Sequence, residues 1–300
     1  MKPEAFVRTN LWVCCVLLWA GCSTHTAATR IGNVSTSVKS ANVKNASTKS
    51  AHVNSANVKA RPVMAPFVQE QLQFSRVREA RDEAGDRIER MFRERNINYP
   101  ASQIFIRVFK QERELELWVL PETGTRFQLL QTYPICKLAG RLGPKKKQGD
   151  RQVPEGFYSV DFFNPVSNYH LSLRVDYPNH RDRITATARN LGGDIFIHGG
   201  CVSVGCIAIT DEGIQELYWM AVMARGRNQR SIPVHIFPTR LGKSTNLNKL
   251  KRLYHDDSVV AFWQSLRPGY EYFEQHRRIP QVTVDRSGRY RLTESIAAMD

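Results

Sequence analysis

The sequence predicts a mainly-β fold with helices, and three observations predict it. Between residues 102 and 237 the apolar residues alternate or run in short blocks, which is the strand pattern. Before residue 97 and after residue 245 their spacing becomes helical. Gly, Pro, Asn and Asp interrupt the central stretch at short intervals, so its elements are brief and its sheet is expected to be closed or sandwich-like. At 300 residues, 42% hydrophobic and 24% charged, the chain can build one well-filled core with appendages.

The elements follow in order. Residues 1–22 read as a signal segment. Lys2 and Arg8 flank an apolar run over 11–20 that is too short to span a bilayer and suits a secretory h-region. Leu18-Trp19-Ala20-Gly21-Cys22 is similar to a lipobox, which would make Cys22 a membrane tether on an exported, periplasmic protein. Residues 23–66 are Ser, Thr, Ala, Asn, Val and Lys with almost no large apolar side chains, and Ser-Ala-Asn-Val-Lys occurs at 40–44 and again at 55–59. Such a tract cannot bury enough apolar surface to offset ordering, so a disordered tether is expected, with a reach of about 35–40 Å. Residues 67–98 are expected to be a helix that packs on the domain. Val77, Ala80, Ala84, Ile88 and Met91 fall on one face, and Glu83–Arg87, Asp86–Arg90 and Glu89–Arg93 are favourable i,i+4 pairs.

Residues 99–240 hold the strands, predicted at 104–108, 115–119, 127–135, 157–160, 171–175, 194–197 and 233–237, with a Gly/Pro/Lys loop over 142–155 and a helix over 211–225. Residues 241–300 form a C-terminal extension expected to pack on that domain. It has helices at 246–254 and 258–266 and a hairpin around Ser287-Gly288.

The net charge of +15, from 43 basic and 28 acidic side chains, favours an anionic partner. No zinc-finger spacing, basic heptad helix or RNA-binding aromatic motif is present, which argues against nucleic acid. Of the six cysteines, Cys14 and Cys15 leave with the signal segment, and Cys22 is lipidated or lost. The remaining Cys136, Cys201 and Cys206 leave one disulfide with a free thiol, or three thiols.

The chemistry concentrates in Ile195-Phe196-Ile197-His198-Gly199-Gly200-Cys201-Val202-Ser203-Val204-Gly205-Cys206. An apolar strand delivers His198 to its end, and a glycine-rich turn returns the chain to Cys206. A cysteine nucleophile needs a thiolate, and a nearby imidazole can take its proton. Gly205 permits a sharp turn that could aim the amides of Gly205 and Cys206 at an oxyanion, and a helix starting near Asp211 would add partial positive charge if it points at the sulfur. A zinc site of His198, Cys201 and Cys206 is the competing reading, although the spacing fits no common site. The nucleophilic chemistry needs no metal or cofactor.

This segment resembles the L,D-transpeptidase catalytic (YkuD-like) family, marked by His-Gly, a loop, then Ser-His-Gly-Cys. His198-Gly199 matches the first part, and Ser203-Val204-Gly205-Cys206 matches the second, which makes Gly199 and Ser203 supporting motif residues. The loop from Gly143-Pro144-Lys145-Lys146-Lys147 to Gly156-Phe157-Tyr158 is similar to the family's Thr-Pro-x-Gly-x-Tyr/Phe element. It offers Lys145, Lys146, Lys147 and Tyr158 as substrate contacts, with a solvated loop as the alternative for the lysines. His-Gly-x-Cys-Val-Ser-x-Gly-Cys and the tail Phe262-Trp263-Gln264-Ser265-Leu266-Arg267-Pro268-Gly269-Tyr270 resemble the YafK-like branch, and the resemblance spans about 103–285.

The resemblance implies a thioester on Cys206, formed at the meso-diaminopimelate carbonyl of peptidoglycan stem peptides. In the branch it implies hydrolysis of the amide joining peptidoglycan to an outer-membrane lipoprotein. Cross-linking or lipoprotein attachment by transpeptidation is the alternative, and a non-catalytic peptidoglycan-binding module is a third reading. Val204 stands where the family has histidine, Ala208 where arginine is usual, and Gly199 where a Ser or Thr often orients the base. His198 therefore has no orienting partner within the motif. Cys136 also matches the branch, either as a core residue or as a partner for Cys201. A Cys201–Cys206 bond would instead act as a redox brake.

Overall fold

The structure is a computed structural model, and it describes residues 65–242 and 244–293. The signal segment, Cys22 and nearly all of the tether expected at 23–66 lie outside the described residues. Pro at the first helical position opens α1 (Pro66–Gln71), and α2 (Ser75–Glu94) follows. The sequence predicts one helix here, but the chain breaks at Leu72–Phe74. Phe74 is extended (φ −86°, ψ 130°), and both Leu72 and Phe74 turn their side chains onto the core. The break lets each helix seat its own apolar face on α4. Val77, Ala80, Ala84 and Ile88 are fully buried along α2. Val68 of α1 comes so close to the end of α4 that a Cβ on Gly226 would lie 2.4 Å from its methyl.

Strands β1 (Gln103–Phe109), β2 (Glu114–Leu120) and β3 (Gln128–Pro134) form an antiparallel meander. Then come β4 (Lys137–Leu138), β5 (Gly156–Asn164), β6 (Ser172–Val175), the short α3 (His180–Ile184), β7 (Ile195–His198) and β8 (Ile207–Ala208). Helix α4 (Asp211–Gly226) leads into β9 (Ile232–Phe237). Nine strands make one mixed sheet in the order β3-β2-β1-β9-β5-β6-β7-β8-β4, with β1/β9 and β7/β8 parallel. Its edges are β3 and β4, yet only Ile135 and Cys136 separate those strands in the chain. Two residues reach about 10 Å at most, so the sheet curls until its edges nearly meet. The expected closed sheet is thus an almost-closed one with a seam at Cys136. β4, β8 and α3 have no sequence signal because each is too short to show a period.

Beyond the sheet lie α5 (Ser244–Leu253), α6 (Asp257–His276) and a hairpin of β10 (Gln281–Val284) and β11 (Tyr290–Thr293). The helix predicted to end at 266 continues through Pro268 to His276 and stops at Arg277, whose φ is 53°. What keeps it going is packing. Val259, Phe262, Trp263, Leu266, Tyr270 and Phe273 fall on one face and are buried, meeting Phe109 and Phe237 of the sheet, while Phe273 packs with Phe105 and Trp118. Among the described residues, no helix is long and apolar enough to cross a membrane.

Candidate active site

The sheet register places the two reactive side chains. β7 and β8 run parallel with Ile197 opposite Ile207 and His198 opposite Ala208, so Cys206 enters level with Phe196. Residues 196 and 198 share a face of β7, and Cys206 projects on that face as well. Phe196, His198 and Cys206 accordingly line one cavity of about 190 Å³, together with Asn164, Ser172 and the loop residues Ser167, Asn168 and Tyr169.

His198 is buried, at 2% exposure. Its Nδ1 lies 2.6 Å from the Gly199 carbonyl, which can only accept, so Nδ1 carries the proton and Nε2 is left as the free lone pair. Burial pushes its pKa down, and the Gly199 carbonyl opposes this in part. Tyr169 covers the ring, with centroids 4.8 Å apart at 34°. The Tyr169 carbonyl accepts from the Gly199 amide at 3.1 Å, and Arg76 of α2 donates to the Ser167 and His170 carbonyls of the same loop. The orienting partners missing from the motif are therefore a backbone carbonyl and an aromatic ring from a loop with no sequence signature. Glycine is required at 199 because a Cβ would meet Asp211 Oδ1 at 2.3 Å; that carboxylate accepts from the Gly200 amide at 2.7 Å.

Cys206 is a free thiol, half-buried, donating to the Asp194 carbonyl at 3.5 Å. Burial pushes its pKa up and the Asp194 charge adds to this, while a backbone bond from Phe196 and the Lys145 charge pull it down. With the thiol raised and the imidazole lowered, the resting pair is neutral. The first turn of α4 is occupied by Thr210 Oγ1 and by Asp211, which reaches Gly200 and not the sulfur. Cys201 is bonded to Cys136, with Cα atoms 5.4 Å apart. This removes Cys201 as a third zinc ligand and as a brake on Cys206. Among the described residues no group of three or more His, Cys, Asp or Glu is arranged to hold a metal.

Several expected contacts fall elsewhere. The amides of Gly205 and Cys206 both donate to Ser203 Oγ (3.2 and 2.9 Å), and Ser203 donates to the Cys206 carbonyl at 2.7 Å, so in the free site neither amide is open. Tyr158 is not a substrate contact: it is 3% exposed, and its hydroxyl is taken by Asp182 and the Glu155 carbonyl. Lys145 is likewise buried, paired with Asp150 at 2.6 Å, because Asp150 folds the loop by accepting from the amides of Lys146 and Lys147. Lys146 and Lys147 are exposed.

The family model for the L,D-transpeptidase catalytic domain (YkuD) matches residues 104–236. Two curated relatives, each named "Putative L,D-transpeptidase YafK", from Escherichia coli K12 and from Escherichia coli O157:H7, are 40% identical over 198 residues. The match covers 65% of this chain and 76% of each relative. Among solved structures, the helical cell shape determining protein Pgp2 from Campylobacter jejuni aligns at 15% identity and a TM-score of 0.37, covering 61% of this chain and 73% of that one. Bd1075 from Bdellovibrio bacteriovorus aligns at 18% identity and a TM-score of 0.34, covering 63% and 79%.

Proposed function

Because the chain belongs to the L,D-transpeptidase catalytic domain family, whose members act on peptidoglycan, we propose that it is a cysteine-dependent acyl-transfer enzyme with Cys206 as nucleophile. One observation carries this reading: a free thiol and an imidazole with an open Nε2 face the same cavity. In the proposed reaction Nε2 takes the thiol proton as the sulfur adds to the carbonyl at the L-centre of meso-diaminopimelate. The oxyanion displaces Ser203 Oγ from the Gly205 and Cys206 amides; one such donor is worth ~3–4 kcal/mol. Collapse breaks the C–N bond, and the imidazolium returns its proton to the leaving amine. Water then opens the thioester. The residues alone supply both proton transfers, so the route calls on no metal or cofactor.

Hydrolysis of the amide joining peptidoglycan to an outer-membrane lipoprotein is the preferred outcome. Its support is the acceptor side of the site. Ala208 is fully buried in β8, where an arginine has no room, and Val204 is 71% exposed with no polar group to offer. No side chain at either position can hold the carboxylate of a second stem peptide, which leaves water as acceptor. Transpeptidation is the second reading, favoured by the name of the relatives. The setting would be the periplasm, with Lys146 and Lys147 near the stem-peptide carboxylates. Incubating the protein with lipoprotein-linked sacculi separates the readings: freed tri- or tetrapeptide ends mark hydrolysis, and new cross-links mark transfer. Cys206→Ala should abolish both. If that variant keeps the full cellular phenotype, the domain is a binding module and not an enzyme.

A further inference from the structure

A second cavity, of about 400 Å³, lies where α3 and α6 meet the turn between β10 and β11, and it shares no lining residue with the site of Cys206 and His198. At its base is Arg181, 7% exposed, its guanidinium 3.8 Å above the Phe262 ring and its Nε donating to the Gly288 carbonyl at 3.3 Å. The carboxylate nearest it, Asp182, keeps Oδ1 3.7 Å from Nη1, beyond hydrogen-bond distance, because its Oδ2 is drawn to the Tyr158 hydroxyl and the Asn179 amide. Arg107, likewise deeply buried, shows the contrast: Glu116 and Glu274 hold it at 2.9 and 2.6 Å. A buried guanidinium whose nearest carboxylate stays beyond hydrogen-bond distance is incompletely compensated, and a ligand anion would complete the compensation.

The rest of the lining points the same way. Lys146 and Arg289 are exposed at the rim, and Lys146 meets Asp256 at 3.9 Å. The hydroxyls of Ser258, Ser265 and Ser287 donate to Asp256, the Phe262 carbonyl and Asp285, so the cations are the main donors left for a ligand. A planar fork suits a carboxylate, and the Phe262 ring and Val259 beside it suit an aliphatic chain. An adjoining cavity of about 510 Å³ shares Pro144, Lys146, Thr187 and Val259, so the ligand has room to extend.

We propose that this cavity is a second binding site, taking a carboxylate of an extended peptide on Arg181, Lys146 and Arg289. Given the proposed reaction, the peptide is a peptidoglycan stem peptide held by a group remote from the cleaved bond. The site lies across the loop 143–153 from the sulfur. A Cβ on Gly205 would lie 3.7–3.8 Å from the backbone of Arg151 and Gln152 in that loop, and the segment 185–194 runs from the cavity wall to the carbonyl that the thiol meets.

The test uses the full chain carrying Cys206→Ala, so that binding is read without turnover. The probes are the tripeptide L-alanyl-γ-D-glutamyl-meso-diaminopimelate and, separately, inorganic phosphate. The tripeptide should shift the Arg181 Nε–H resonance saturably, and Lys146→Ala with Arg289→Ala should weaken its binding at least tenfold while leaving the fold intact by circular dichroism. An unmoved Arg181 signal overturns the proposal, as does equal affinity in the double variant. Saturation by phosphate but not by the tripeptide overturns the carboxylate assignment. Failure of the Cys206 enzyme to act on sacculi would remove the proposed reaction and leave this result standing, so the two can fail separately.

Discussion

At the scale of single residues, the proposed site depends on a buried imidazole and a half-buried thiol that both prefer to be neutral. In the proposed reaction, a depressed imidazole and a raised thiol mean that the proton moves only when a carbonyl arrives. The sign follows from the directions: activity requires Nε2 unprotonated, so kcat/KM should rise with an apparent midpoint below the usual 6.5 of histidine. It should fall only above the usual thiol value of 9.0, when no proton remains for the leaving amine. An acid limb centred above 6.5 in a pH–rate profile would rule out the neutral pair. Ser203 is the residue that shapes the turn, accepting from two amides and donating to a carbonyl. Ser203→Ala leaves those groups unpaired, a cost of about 1–3 kcal/mol, and should lower kcat more than tenfold with little change in KM. Unchanged kcat would show that the turn holds itself.

At the scale of elements, the reactive turn is held from two sides. On one side the Cys136–Cys201 bond ties the seam of the sheet to the turn between β7 and β8, closing a separation of 65 residues. A loop of that length implies about 4 kcal/mol of stabilisation through the unfolded chain. Reductant should therefore lower the urea midpoint of the Cys206→Ala protein, and Cys136→Ala should lower it equally and make it insensitive to reductant. A midpoint indifferent to reductant in the parent would mean the bond does not form in solution. On the other side the loop 143–153 is pinned by Glu155, which is fully buried. Its Oε1 meets Lys110 at 2.9 Å and the Gly143 amide at 2.7 Å, and its Oε2 accepts from Trp263 Nε1 at 2.6 Å. The C-terminal helix thus reaches the carboxylate that pins the loop 143–153 through an indole N–H. Trp263→Phe keeps the ring but orphans a buried carboxylate oxygen, so it should cost about 1–3 kcal/mol in a denaturant titration. A stability equal to the parent's would show that water or a shifted side chain replaces the bond.

At the scale of the whole molecule, what the sequence displays and what it hides divide along physical lines. Strand and helix periods, and the nearness of His198 to Cys206, are local, so they could be read from spacing. The break at Phe74 and the passage of α6 through Pro268 were not legible, because tertiary packing decides each against local preference. The same holds for Tyr158, whose motif position says nothing of the Asp182 that seals it, and for Tyr169, which meets His198 from a loop with no pattern.

His235 is another residue whose meaning appears only in the fold. Burial first, and the Arg107 charge second, drive it from 6.5 to about 3, among Phe105, Phe157 and Phe237. Between those values the unfolded chain binds a proton that the folded chain refuses, so stability is lost as pH falls from 6.5 toward 3. Asp182 works in the opposite sense. Burial raises it from 3.8 to about 6, so within that window the folded chain takes the proton first and gains stability as pH falls. The two contributions oppose each other, and substitution separates them. His235→Phe replaces an imidazole whose Nδ1 has no partner, so it should unfold at a urea midpoint that declines less than the parent's between pH 7 and pH 4. Asp182→Asn should decline more. Parallel pH profiles for the parent and His235→Phe would mean that the folded protein accommodates the charged ring, and the buried neutral imidazole would have to be abandoned.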